Sequence, residues 1–510
     1  MRKSKSAQSQ VSASQPNKSI WVSAHAGSGK TRNLVTRVSR LLLGGVKPEK
    51  ILCLTYTTAA ATEMRERLMR ELGAWSMMPE RELFDKIEKL NDGLVFSKRD
   101  GLKSLSEARR LFAKVLETPS GLKIQTIHSF CASVLRKFPL EVDTSPNFLV
   151  LDETKRGTII SQTIAYLEKN YPEDFENFIR ELEVSDLNLL LEQILSYRIN
   201  LEKKFDLISF CKCFKLEILE FSPTEELTKI FSDMPDDSIS RIRRGLIQGS
   251  TLDRKQADLL KDFHNKQRIE KLSALEDIFY TKDGKVRSLR NYPSQLAKLS
   301  EPHLDVLFAK LQSNFLKYIG RRNQFLLINK TKRLYNFSHL FLKLYEGFKR
   351  VDNVLDYDDL IVKTTILLSD YKSKWVQYKL DGGIDHILLD EAQDTSQFQW
   401  KMLSTLMDDF FVDQRALDGA RTFYAVGDEK QSIYSFQGAD IDAFGHMKDF
   451  FSKRMSLLGD KIHDLSLSKS FRSSNAIINF VNEVLLNGAE MGVKLSKEHI
   501  AHHRFLPGRV

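Results

Sequence analysis

The run Ala24-His25-Ala26-Gly27-Ser28-Gly29-Lys30-Thr31 constrains the fold of this chain more than any other feature. It has the spacing of a phosphate-binding loop, and its flanks supply the context such a loop needs. The apolar run Ile20-Trp21-Val22 leads in as a strand, and Asn33-Leu34-Val35 through Leu41-Leu42-Leu43 leads out as a helix that Gly44-Gly45 ends. A strand, a glycine-rich turn and a helix in that order predict an α/β fold with a polyphosphate on the helix N-terminus.

Each residue type in the loop has a chemical reason. Gly27 and Gly29 let the backbone curl until successive N–H groups face an anion, Lys30 brings positive charge to the terminal phosphates, and Thr31 offers a hydroxyl to Mg²⁺. Ala24 stands where the pattern has its first glycine, and a small residue there still permits the turn. Nucleotide binding is therefore expected of Ala24, His25, Ala26, Gly27, Ser28, Gly29, Lys30 and Thr31.

Strand patterns recur at 51–55, 387–389, 422–426 and 465–467, separated by helical patterns. Short apolar strands alternating with amphipathic helices predict a mostly parallel sheet covered by helices on both faces, with ligands at the carboxyl ends of the strands. Between about 151 and 355 the pattern changes to long charged helices, such as 181–195 and 201–221, which predicts an inserted, mainly helical domain. The first nineteen residues, rich in Ser, Gln and Lys, read as a loose tail.

Composition excludes little but directs the rest. At 510 residues and 42% hydrophobic, the chain is long enough for two or three domains, and its formal charge of +10 suggests a polyanionic partner without requiring one. No apolar run is long enough for a signal peptide or a membrane span, so a cytoplasmic protein without membrane partners is expected. Cys53, Cys131, Cys211 and Cys213 are too scattered for a zinc site and read as reduced thiols.

Two later segments complete the chemistry. The strand 387–389 ends in Asp390-Glu391-Ala392-Gln393-Asp394, where Asp390 is expected to hold Mg²⁺ and Glu391 to orient or deprotonate an attacking water. Taken alone, such a pair caps a helix; beside a phosphate loop it reads as the second half of a nucleotide site. After strand 422–426, Gln431 could sense a terminal phosphate, while Tyr434 and Phe436 could offer ring faces to unpaired bases.

The ordered set of motifs resembles the UvrD/RecB-type superfamily-one DNA helicases, closest to their AddA helicase-nuclease branch. The match runs from Trp21-Val22-Ser23-Ala24 through the loop, Leu54-Thr55-Tyr56-Thr57, Gln125-Thr126-Ile127-His128-Ser129-Phe130, Asp356-Tyr357-Asp358-Asp359-Leu360 and the Asp390 and Gln431 segments to Ser470-Phe471-Arg472-Ser473-Ser474. The resemblance implies a RecA-like P-loop NTPase motor using ATP and Mg²⁺, moving 3'-to-5' on DNA in double-strand-break repair, with an AddB-like partner. It makes Gln10 the adenine-reading glutamine, with Gln8 and Gln15 as rivals. It makes Thr55, Tyr56, Thr57, Thr126, His128, Tyr434 and Phe436 DNA contacts, and Arg472 the arginine that reaches the γ-phosphate across a cleft. Lys30, Glu391, Gln431 and Arg472 then form the catalytic set.

The resemblance also orders the domains: a tail over 1–19, a first motor domain over 20–150 and 356–463 interrupted by the helical insert 151–355, and the start of a second motor domain at 464–510. The segment from Arg472 to Val510 is too short for that second domain, and no nuclease domain follows. An N-terminal portion of a helicase is therefore expected, with a weakly active or non-enzymatic remnant that binds nucleotide and DNA as the alternative. A small-molecule kinase leaves Gln431, Tyr434 and the Thr55 segment unexplained.

Overall fold

The computed structural model describes residues 10–90, 98–118, 121–182, 186–201, 205–217, 221–232, 234–290, 292–369, 375–376, 379, 384–408, 421–432, 441–457, 459–467 and 469–488. It is mostly helical around one parallel sheet of six strands, and it divides into two compact units.

The first unit, Met1–Asp152 with Asp352–Val510, carries the sheet. Its strands are β1 (Ile20–Ala24), β2 (Ile51–Thr55), β3 (Lys123–Thr126), β6 (His386–Leu389), β7 (Thr422–Gly427) and β8 (His463–Leu467), after numbering the short pair Leu149–Val150 and Val354–Leu355 as β4 and β5. The spatial order is β3-β2-β6-β7-β1-β8 and every pairing is parallel. All carboxyl ends therefore lie along one edge, and β7 sits between the strands that end at Ala24 and Leu389.

Alternation along each strand divides the core in two. Trp21, Leu52, Leu54, Ile387, Leu389, Phe423 and Ala425 face one side. Ile20, Val22, Ile51, Cys53, Leu388, Tyr424 and Val426 face the other. The second face is covered by α1 (Lys30–Leu43), α2 (Thr58–Met77) and α3 (Lys98–Glu117). The first is covered by α4 (Ile127–Lys137), α5 (Tyr357–Ser369), α6 (Gln397–Leu406) and α7 (Ile441–Leu457). Central strands β2, β6 and β7 are buried throughout, which explains their unbroken apolar runs. Edge strand β3, Lys-Ile-Gln-Thr, buries only every second residue and escaped the sequence reading for that reason.

Two expected boundaries are corrected. β8 hydrogen-bonds in register along β1, Ile20 beside His463 and Ala24 beside Leu467, so the second domain expected to open at 464 begins inside the first sheet. Residues 10–19, expected as a loose tail, pack instead: 10–13 form a helical turn, and Ala13, Ser14 and Ser19 are buried. Their anchors are Arg37 and Arg40 of α1, whose guanidinium groups donate to this segment.

The second unit, Glu153–Val351, is built from helices around a core that includes Phe279, Phe308 and Phe315. Its longest element, Leu304–Val351, is a single helix. The continuous helices expected at 181–195 and 201–221 are broken into Pro172–Leu182, Leu187–Ser196, Arg198–Leu201 and Leu207–Phe214. The breaks have a local cause: Asp186 and Asp206 accept backbone N–H bonds from Leu189 and from Ile208 and Ser209, and so start new helices. No helix among the described residues is long and apolar enough to cross a membrane.

Candidate active site

The turn after β1 is shaped by two glycines with positive φ, Gly27 at 71° and Gly29 at 88°, the latter as N-cap of α1. A Cβ on Gly27 would lie 2.7 Å from the Arg472 Cβ and 2.7 Å from the Ser470 Oγ, so only glycine lets the loop meet the 470–472 segment. That segment is fastened to it, since the Phe471 N–H donates to the Gly27 carbonyl at 2.8 Å. The His25 N–H donates to Leu467 at 3.1 Å, and Ala24 closes β1 with its methyl in the core. Ala26 and Thr31 complete the loop and the first turn of α1. The hydroxyl of Ser28 and the amide nitrogen of Asn33 are buried without a protein hydrogen-bond partner. Such groups are costly unless something else occupies them.

Across β7, the Lys30 Nζ donates to the Glu391 Oε2 at 2.7 Å, joining residues 361 positions apart. Glu391 holds a left-handed backbone, φ 49° and ψ 46°, which costs a non-glycine residue roughly 1–2 kcal/mol. The Lys30 contact is the interaction that this turn permits.

Gln393 ties the neighbouring segments together, a role that the sequence reading missed. Its amide nitrogen donates to the Glu391 Oε2 and the Asp394 Oδ2, both at 3.0 Å, and its Oε1 accepts the Asp428 N–H at 2.9 Å. Gly427 lets it approach, since a Cβ there would meet the Gln393 Oε1 at 2.8 Å. Gln431 in turn donates to the Asp428 Oδ2. Glu391, Gln393, Asp428 and Gln431 thus form one hydrogen-bonded series from β6 to the turn after β7. The signal available in sequence was a pair of polar side chains directly after two fully apolar strands.

Buried carboxyls dominate the electrostatics. Asp390 is pushed up to about 7, first by burial and then by the charge of Glu391, with Lys30 opposing. Asp394 is pushed up to about 6 for the same two reasons, and its Oδ1 is buried without a hydrogen-bond partner. An unfolded aspartate ionises near pH 4, so the folded protein retains a proton on Asp390 that the unfolded chain has released. Stability from this site is therefore complete below about pH 4 and falls as pH rises toward 7. Asp390→Asn, uncharged throughout, is expected to raise the thermal midpoint of the nucleotide-free protein at pH 8 by the equivalent of about 1–3 kcal/mol, and to give no gain at pH 4. Equal shifts at the two pH values would remove the carboxyl's burial as the cause.

These donors suit a hard cation held jointly with a phosphate. Mg²⁺ takes one or two carboxylates plus phosphate oxygens and waters, not a protein cage. Among the described residues no group of three or more His, Cys, Asp or Glu side chains could hold a metal by itself. Asp390, buried and bearing a charge with too little compensation, fits the single-carboxylate arrangement.

The expected DNA contacts separate into two kinds. Thr55 and Thr126 are buried, and their hydroxyls are spent within the protein: Thr55 donates to the Thr57 carbonyl, and Thr126 donates to the Ser129 Oγ and caps α4. Capping replaces the contact role expected of them. Thr57 is exposed as the N-cap of α2, while Tyr56 and His128 are half-buried. The His128 ring meets Tyr357 edge-on at 5.0 Å, and burial lowers its pKa. Tyr434 and Phe436 lie outside the described residues. Gln10 donates from its amide to the Ser28 carbonyl at 3.2 Å, whereas Gln15 contributes its own carbonyl to Arg37.

A family model described as the UvrD/REP helicase N-terminal domain matches residues 4–452. The chain belongs to the UvrD/REP helicase family. Relatives named as the AddA subunits of ATP-dependent helicase/nucleases include those of Lactobacillus johnsonii, 25% identical over 94% of this chain and 40% of the relative, and Enterococcus faecalis, 24% identical over 92% and 37%. That of Latilactobacillus sakei is 24% identical over 91% of this chain and 52% of its own length. The chain thus spans between about a third and a half of the curated relatives it matches. In this UvrD/REP-family chain, the Arg472 backbone lies directly against the loop at Gly27, and its side chain is exposed.

Proposed function

We propose that residues 24–31 are a phosphate-binding loop for MgATP, and that the chain is the ATP-hydrolysing portion of a 3'-to-5' DNA helicase of the AddA kind. The observation that carries this reading is the 2.7 Å Lys30–Glu391 pair at the carboxyl edge of a parallel sheet, in a UvrD/REP-family chain. Lys30 would leave Glu391 for the terminal phosphates, and the freed carboxylate would accept the proton of the attacking water. Thr31 and Asp390 would hold Mg²⁺, which neutralises charge developing on the phosphates. Gln431, joined to Glu391 through Asp428 and Gln393, would report the state of the terminal phosphate, with Arg472 as a further cation beside it. Gln10, next to Ser28, would read the adenine.

Tyr56, Thr57 and His128 follow β2 and β3 on the same edge of the sheet, and would receive single-stranded DNA together with Tyr434 and Phe436. The helical unit Glu153–Val351 would be the insertion of the first motor domain. The names of the relatives suggest a helicase and nuclease acting in double-strand-break repair with an AddB-like partner in the cytoplasm. Phosphate release from MgATP by the purified chain, with and without single-stranded DNA, tests this reading. Hydrolysis stimulated by DNA is the expected result. A chain that binds no MgATP would overturn the nucleotide site, and one that binds it without any turnover would overturn the motor.

A further inference from the structure

Helix α1 carries a buried polar stripe, Asn33, Arg37 and Arg40, at helical spacing on an otherwise apolar element. Arg37 is fully buried and Arg40 is 8% exposed. The Arg37 guanidinium donates to the carbonyl of Gln15, to that of Lys18 at 2.6 Å, and to the Thr422 Oγ1 at 3.1 Å, and it stands 5.1 Å from the centre of the Tyr424 ring. The Arg40 guanidinium donates to the Val11 carbonyl at 3.2 Å and the Ser14 Oγ at 3.0 Å. At the far end of the same segment, Gln10 rests on Ser28 and lies 3.6 Å from where a Cβ on Gly29 would be.

We propose that Arg37 and Arg40 are positioning residues for nucleotide selection: they clamp residues 11–18 onto α1 and so hold Gln10 at the base end of the phosphate loop. The inference rests on the proposal that the loop binds ATP and that Gln10 reads its base. The physical argument is one of entropy. A segment of small polar residues has no apolar face large enough to hold it in place, and fixing each residue costs about 1–2 kcal/mol of backbone freedom. Multiple charge-assisted bonds to backbone carbonyls from a rigid helix offset that cost where side-chain packing does not. Arg40 lies ten residues along α1 from Lys30, about 15 Å, so it acts on the base only through the clamped segment.

The test compares dissociation constants for MgATP and MgGTP in the whole chain and in Gln10→Ala, Arg40→Ala, Arg40→Lys and the Gln10→Ala/Arg40→Ala pair. Arg40 is chosen because replacing the fully buried Arg37 risks the fold itself. Gln10→Ala should reduce the preference for ATP by about tenfold, the worth of one hydrogen bond to a base edge. Arg40→Ala should reduce it by a similar factor, Arg40→Lys should restore part of it, and the pair should lose no more than either single change. A ratio left unchanged by Arg40→Ala while Gln10→Ala lowers it would overturn the clamp, as would effects that multiply in the pair. Equal affinity of the unaltered chain for both nucleotides, or no effect of Gln10→Ala, would overturn base reading by Gln10 and the clamp with it. Failure to bind either nucleotide would overturn the phosphate loop itself.

Discussion

Glu391→Gln should slow ATP hydrolysis by about three powers of ten, the range expected when a general base is lost. The same change should leave MgATP binding intact or tighter. The geometry gives the second half of that expectation: the Glu391 carboxylate holds the Lys30 ammonium at 2.7 Å, and a phosphate must displace it. A neutral amide competes less well for the lysine, so the ground state gains while the chemical step loses. Single-turnover hydrolysis alongside equilibrium binding separates the two effects. A variant that loses binding and turnover together would mean that Glu391 serves the loop's structure and not the water.

Lys30→Ala should weaken MgATP binding by about 10- to 100-fold, the worth of a charge-assisted hydrogen bond to phosphate. Turnover should fall below detection with it. The consequences extend to the carboxyls, because Lys30 opposes the upward shift of both Asp390 and Asp394. Without it, both should take protons at higher pH, and the variant should lose stability more steeply than the unaltered chain as pH rises from 6 to 8. Thermal unfolding across that range measures this directly. Identical pH profiles for the two proteins would mean that the lysine's charge does not reach the carboxyls.

Much of the site could be read before any coordinates. Gly27, Gly29, Lys30 and Thr31 lie within eight consecutive residues, and the loop's chemistry depends on local backbone curvature, which a short sequence encodes. Asp390 and Glu391 were recognisable because a parallel strand presents its first polar residues at its carboxyl end. Gln393 was not, because its work is to bridge three segments, and bridging is invisible to periodicity. Thr55 and Thr126 mislead for a related reason. A hydroxyl at a strand end serves a helix N-cap as readily as a ligand, and burial decides between them.

The sequence by itself determined the elements: apolar strands, amphipathic helices, a phosphate-type loop and an acidic turn, all set by interactions within a few residues. The tertiary structure alone decided their neighbours. Strand order β3-β2-β6-β7-β1-β8 brings residue 391 to residue 30 and makes β8 part of the first sheet. Residues 10–19 read as a tail because nothing within them supplies a core, and they are ordered by arginines on α1. Local propensity fixes what a segment forms; burial and hydrogen bonding between distant segments fix where it lies and which of its side chains remain available for chemistry.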